Sequence, residues 1–198
     1  MSYLIKGEFL KEARDFFTAL PEIAQQSASL AMNQVTEREG LAKMRRDMES
    51  QIAFPNGYLD SPDRLAVRQP ATPNRLELIV SARDRPTSLA RFAPGQSPEN
   101  TRRGGVTVSV KKGRTKTLKK AFLVRLRNGN IGLATRDKSL VDRAYKPVML
   151  DRGVYLLYGP SVDQVFKAVG EDALPWLGGK ISNEFFRQFA RLSRGRHG

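Results

Sequence analysis

No cysteine occurs among the 198 residues, which removes disulfides, thiolate metal sites and cysteine nucleophiles together and suits a reducing compartment. Histidine is nearly as scarce. The single one, His197, sits in a basic stretch at 195–198 that is expected to be a flexible tail, so the usual imidazole base of a triad or metal site is missing. No apolar run approaches the ~18 residues of a membrane span, and charges occupy the N-terminal positions where a signal peptide needs its apolar segment. A soluble protein made in a cytoplasm is the expectation. Acid, finally, is missing in one place: residues 101–136 hold eleven Lys and Arg and no Asp or Glu.

That local absence accounts for most of the net charge of +14. Residues 1–100 balance thirteen basic against thirteen acidic side chains, and 137–198 hold ten against seven. The excess runs from Arg102 and Arg103 through Lys111, Lys112, Arg114, Lys116, Lys119 and Lys120 to Arg125, Arg127 and Arg136. Cations so concentrated imply a polyanionic neighbour, because each gains Coulomb energy near phosphate or carboxylate and releases counterions. A run that served solubility alone would intersperse both signs. Phe122 is the only aromatic in the stretch, which disfavours base stacking and leaves contact with a nucleic-acid backbone as the natural mode.

A hydrophobic fraction of 40% and this length predict one folded domain over 1–198. Phe9, Leu10, Ala13, Phe16, Phe17 and Leu20 recur at helical spacing. Pro21 then opens a second, long helix, with Ile23, Ala24, Ser27, Leu30, Ala31 and Val35 on one stripe and Leu41, Met44, Met48 and Ile52 extending it. Gly40 is a candidate kink and Pro55-Asn56-Gly57 a stop. A helix of ~30 residues would span ~45 Å, so its second half, Leu41, Met44, Met48 and Ile52, is a candidate subunit interface.

Strands follow. Leu76, Leu78 and Val80 alternate within 75–83, as do Val106, Val108 and Val110. Phe122, Val124 and Leu126 are expected on the buried face of the next strand, opposite Leu123, Arg125 and Arg127. Asn128-Gly129 predicts a hairpin returning through 131–135. Residues 93–105, rich in Pro and Gly, read as an extended loop or arm. A last strand is expected at 148–150 or 154–157. Ser161 and Gln164 have capping-box spacing ahead of a helix carrying Val162, Val165, Phe166 and Val169. Pro175, Gly178 and Gly179 should separate it from a last helix at 182–193 with Phe185, Phe186, Phe189 and Leu192 in the core. The order gives an α+β fold: N-terminal helices, one of them long, on an antiparallel sheet of about four to six strands, with C-terminal helices.

Enzyme chemistry finds little footing. Glu37 with Glu39, or Glu171 with Asp172, are the acid pairs a metal-dependent nuclease would need, and such neighbours are more commonly solvated. Gly178-Gly179-Lys180 lacks the glycine spacing and preceding strand of a phosphate loop and reads as a turn. No cofactor, metal or catalytic residue is assigned.

The order of several stretches nevertheless resembles a family. Ala28, Ala31, Asn33 and Val35 form an A-x-x-A-x-N-x-V helix after Pro21. A glycine-led basic strand pair, GVTVSVKKGRTKTLKKAFLVRLRNGNIGLATR, contains A-F-x-x-x-L-x-N-G at Ala121, Phe122, Leu126, Asn128 and Gly129. KPVMLDRGVYLLYGPSVDQVF and a helix rich in Phe and Arg complete the series. Together these are similar to the minor tail protein Z group, the tail-completion proteins of lambda-like long-tailed bacteriophages. The resemblance implies a structural virion protein, not an enzyme, at the head-proximal end of the tail. It also implies a homo-hexameric ring for head-tail joining and DNA passage. Its neighbours would be tail terminator, tail tube or head-tail connector proteins and the phage DNA end, with no membrane. The competing class is a free nucleic-acid-binding protein that lays the 101–136 strands on phosphate.

Overall fold

A computed structural model describes residues 2–6, 22–99, 104–141, 148–151 and 153–194. The first amphipathic helix expected at 9–20, Arg102, Arg103 and the tail at 195–198 lie outside them. The class is α+β, and the chain divides into two compact units whose segments interleave: Met1–Met48, Asp60–Arg83 and Phe166–Gly198 in one, Glu49–Leu59 and Asp84–Val165 in the other.

In the first unit the long helix is realised as α1 (Glu22–Val35), a π-helical turn (Thr36–Gly40) and the start of α2 (Leu41–Gln51). The wide turn closes on the glycine singled out as a kink. A Cβ on Gly40 would stand 3.1 Å from Leu177 Cδ1, so its absence lets that side chain lie against the helix. Strands β1 (Ser2–Lys6), β2 (Leu65–Gln69) and β3 (Glu77–Ala82) form an antiparallel sheet in the order β1-β3-β2. Leu78 and Val80 are fully buried, as the alternation requires.

Asn33, part of the resemblance motif, has a structural task here. Its amide clamps the backbone of Ala71 from both sides, Nδ2 donating to the carbonyl at 2.9 Å and Oδ1 accepting from the N–H at 2.8 Å. This secures the loop after β2 to α1. Asn33→Ala should cost about 1–3 kcal/mol by leaving two partly buried backbone groups unpaired, read as a lower denaturant midpoint.

The C-terminal region departs from expectation. In place of two helices broken at Pro175 there is one, α3 (Val162–Arg194), and Gly178, Gly179 and Lys180 lie inside it. Val162, Val165, Phe166, Val169, Ala173, Leu177, Ile181 and Phe185 are all buried, an unbroken stripe on both sides of the proline. Tertiary burial of that stripe outweighs the local cost of one lost hydrogen bond. Phe186 lies outside the expected core, 63% exposed and edge-on to Phe185 at 5.2 Å. The helix start was legible: Ser161 Oγ accepts from Gln164 N–H and Gln164 Oε1 accepts from Ser161 N–H, both at 3.1 Å.

In the second unit the strands divide among three antiparallel sheets. β4 (Pro86–Ser88) pairs with β11 (Tyr158–Ser161), and β5 (Val106–Val108) with β6 (Lys116–Leu118). The largest sheet joins β7 (Ala121–Arg125), β8 (Ile131–Thr135), β10 (Val154–Leu156) and β9 (Val148–Asp151) in that spatial order. Asn128-Gly129 turns the β7–β8 hairpin, with Gly129 at φ 78°. Phe54 stacks on Tyr58 at 5.5 Å and meets Phe92 at 5.8 Å, the aromatic centre of this unit.

Candidate polyanion and partner surfaces

The basic stretch folds into a two-stranded ribbon because its residues alternate. Val106 and Val108 on β5 and Leu118 on β6 are buried on one face, while Thr107 and Thr117 lie on the other with their hydroxyls 2.8 Å apart; Lys116, opposite Val108, is exposed at the start of β6. Between the strands, Arg114 N–H donates to the Lys111 carbonyl at 3.0 Å, and Gly113 at φ 74° supplies the left-handed residue of the turn. Lys111, Lys112 and Arg114 therefore sit on the ribbon's turn. The backbone of that turn is tied to the segment at the end of α2: Lys111 bridges Ile52, Lys112 N–H donates to the Gln51 carbonyl at 3.1 Å, and Ala53 N–H donates to the Val110 carbonyl at 2.8 Å. Gly105, which leads the motif, has a structural reason: at φ 87° its α-carbon faces the backbone of Leu118 and Lys119, where a side chain would collide.

Lys111, Lys112, Arg114, Lys116, Lys119 and Lys120 are all exposed. Among the described residues, the first five pair with no carboxylate. Lys120 differs: its ammonium lies 2.9 Å from Asp137, whose other oxygen accepts from the Ser139 N–H at 3.0 Å. The Lys120 hydrogen bond, aided by Ser139, lowers the Asp137 carboxyl to about 2. A depressed carboxyl contributes stability above its unfolded value, lost as pH falls through the folded one. The expected result is a side-chain titration of Asp137 centred near pH 2 by NMR, moving toward ordinary values in Lys120→Ala. Because the pair is exposed, its effect on folding is small.

The loop preceding the ribbon is anchored where it is described. Gln96 spans β5 as a strand residue would, Nε2 donating to the Thr107 carbonyl and Oε1 accepting from its N–H at 3.1 Å. Of the arm expected at 93–105, residues 100–103 lie outside the described part.

Two sequence-based assignments change. Leu41, Met44 and Met48 are 8%, 1% and 0% exposed within the single chain, so the core covers them and they offer no surface to another subunit. Ile52 is half-buried beside the ribbon's turn. On β7 the better-buried face is the other one: Ala121 and Leu123 are buried, whereas Phe122 and Val124 are half-buried. There they help line an open groove of about 670 Å³, apolar at Pro98, Phe122, Leu123 and Val124 and cationic at Lys120, Arg125 and Arg136. Both stretches offered for the last strand form strands, β9 and β10; sequence reasoning missed the exposure of β9, where Val148, Met149 and Leu150 are 44%, 59% and 41% exposed. Three consecutive apolar residues between Pro147 and Asp151 were the available signal.

The acid pairs do not converge. Glu39 bonds Lys180 at 2.9 Å, and Glu37, Glu171 and Asp172 are exposed. Among the described residues no three His, Asp or Glu side chains cluster as metal ligands, and no helix is long and apolar enough to cross a membrane. A second groove sets three cations, Arg38, Lys180 and Arg187, against two carboxylates, Glu39 and Glu184, and is largely paired within itself; the Arg187 hydrogen bond at 2.8 Å holds the Glu184 carboxyl below its ordinary range. No protein-family model, curated protein or solved structure matches the chain.

Proposed function

We propose that this chain is a structural virion protein of a long-tailed phage that completes the head-proximal end of the tail as a ring-like, homo-hexameric connector. The order of motifs that resembles the minor tail protein Z group supports the virion assignment. One structural observation carries the mechanism: five cations with no carboxylate partner among the described residues stand exposed on a short ribbon and the turn after it, with no exposed aromatic among them. Such a surface grips a polyanion by charge, through phosphate or acidic side chains, without stacking bases. Repeated by every subunit, it becomes a positive collar through which the DNA end passes or on which an acidic partner ring seats.

In this reading the chain works by contact and passage, and no residue performs chemistry. Tail terminator, tail tube or head-tail connector proteins are its neighbours, and synthesis takes place in the host cytoplasm. Purified virions should contain the chain, and a particle reconstruction should place it at the neck. Virions without it would sink the proposal. The same exposed cations also favour a second reading, a free nucleic-acid-binding protein. That class requires steeply salt-dependent DNA or RNA affinity from an isolated monomer or dimer, whereas a connector subunit binds weakly until many copies are joined.

A further inference from the structure

We infer that copies of this chain join head to tail through one continuous antiparallel sheet, β9 of one copy adding to the free edge of β7 in the next. The inference deepens the ring reading above and rests on its self-assembly part alone. In the order β7-β8-β10-β9, both outer strands lack a paired strand on one side among the described residues. A sheet edge presents unpaired N–H and C=O groups, and an apolar exposed edge is a template for another chain. β9 is such an edge, with Val148, Met149 and Leu150 all exposed.

Two features select a second copy as the occupant. Every pairing in the sheet is antiparallel and the strands number four, so β7 and β9 run in opposite directions. A neighbour in the same orientation therefore continues the antiparallel ladder with no reversal, which is the geometry of a heterologous contact that can close into a ring. The faces also match. Val148 lies opposite Leu156, Leu156 opposite Ala134, and Ala134 opposite Phe122, so Val148 and Phe122 share one face of the sheet. Leu150 and Val124 follow by the two-residue period. The exposed apolar residues of β9 are thereby presented to the apolar groove beside β7.

The cysteine-free sequence permits a direct test with the full-length purified chain. Val124→Cys and Val148→Cys proteins, each alone, are mixed under mild oxidation, with Leu150→Cys as a second partner that covers a two-residue slip in register. The expected result is a mixed disulfide dimer between different variants, a ladder of linked multimers from Val124→Cys/Val148→Cys in one chain, and loss of self-association in Met149→Lys that retains the wild-type circular dichroism. Crosslinking of Val148→Cys only to itself would indicate a two-fold β9–β9 contact and overturn the inference. A monomer at every soluble concentration that forms no crosslink in either mixture overturns it too. Virions that contain the chain while the crosslinks fail would leave the connector reading intact and discard this interface; crosslinks from a chain missing from virions would do the reverse.

Discussion

Changing Lys111, Lys112, Arg114, Lys116 and Lys119 together to Glu is expected to abolish polyanion binding while leaving the melting transition within about 0.5 kcal/mol of wild type per site. Each reversal removes two positive charges, so five take the chain from +14 to +4. The effect on stability is small because all five side chains are exposed and, among the described residues, have no acidic partner to lose. The effect on binding is large for the same reason: no carboxylate among the described residues competes for them. If each contacts one phosphate, the slope of log affinity against log salt is about −4.5, so raising salt from about 50 to about 200 mM lowers affinity roughly 500-fold. In the variant that slope should collapse toward zero. Lys120 is left unchanged because Glu there would face Asp137 at hydrogen-bonding distance and disturb the Ser139 turn, mixing a local structural defect into the readout. The measurement is a DNA or heparin titration at several salt concentrations, with particle assembly as the biological counterpart. An unchanged salt slope, or normal phage titre with all five reversals, would remove the ribbon from the functional surface.

Local signals were the legible ones. Ser161 with Gln164, Asn128-Gly129 and the Val106/Val108 alternation each concern residues within a few positions of one another, and the structure places a capping box, a hairpin turn and a buried strand face there. The helix expected from Pro21 toward Phe54 is present from Glu22 to Gln51, with its irregular turn ending at Gly40. What escaped depended on distant partners. Asn33 reads as an ordinary polar helix residue because the Ala71 backbone it clamps is 38 positions away. Pro175 reads as a break because propensity is local, whereas the buried stripe that holds the helix through it is tertiary. Met44 and Met48 read as an interface because a ~45 Å helix seemed too long for one domain; the rest of the chain covers them. The ribbon was visible as charge, but the β7 groove and the bare β9 edge required strand order.

The better-buried face of β7 gives the second large effect. Leu133→Ala should cost about 2–5 kcal/mol, whereas Phe122→Ser should cost under about 1.5 kcal/mol despite removing a larger side chain. The strand reads Ala-Phe-Leu-Val-Arg, apolar on both sides, and side-chain size alone points to Phe122 and Val124 as the core. Burial decides otherwise. Ala121 and Leu123 are 4% and 6% exposed and lie opposite fully buried Thr135 and Leu133, whereas Phe122 is only half-buried although its partner Ala134 is 0% exposed, so the small alanine marks the more closely packed face. Leu133 also accepts the Leu157 N–H at 2.8 Å through its carbonyl, fixing its strand where the sheet meets the next segment, so little collapse can refill a cavity there. Phe122 keeps part of its ring in solvent and lines the groove with Arg125 and Arg136, so its removal should spare folding and weaken association between copies. Urea unfolding of both variants, paired with sedimentation, separates the roles. A Phe122→Ser protein that unfolds as readily as Leu133→Ala would restore the face expected from sequence and take the apolar floor from the proposed docking groove.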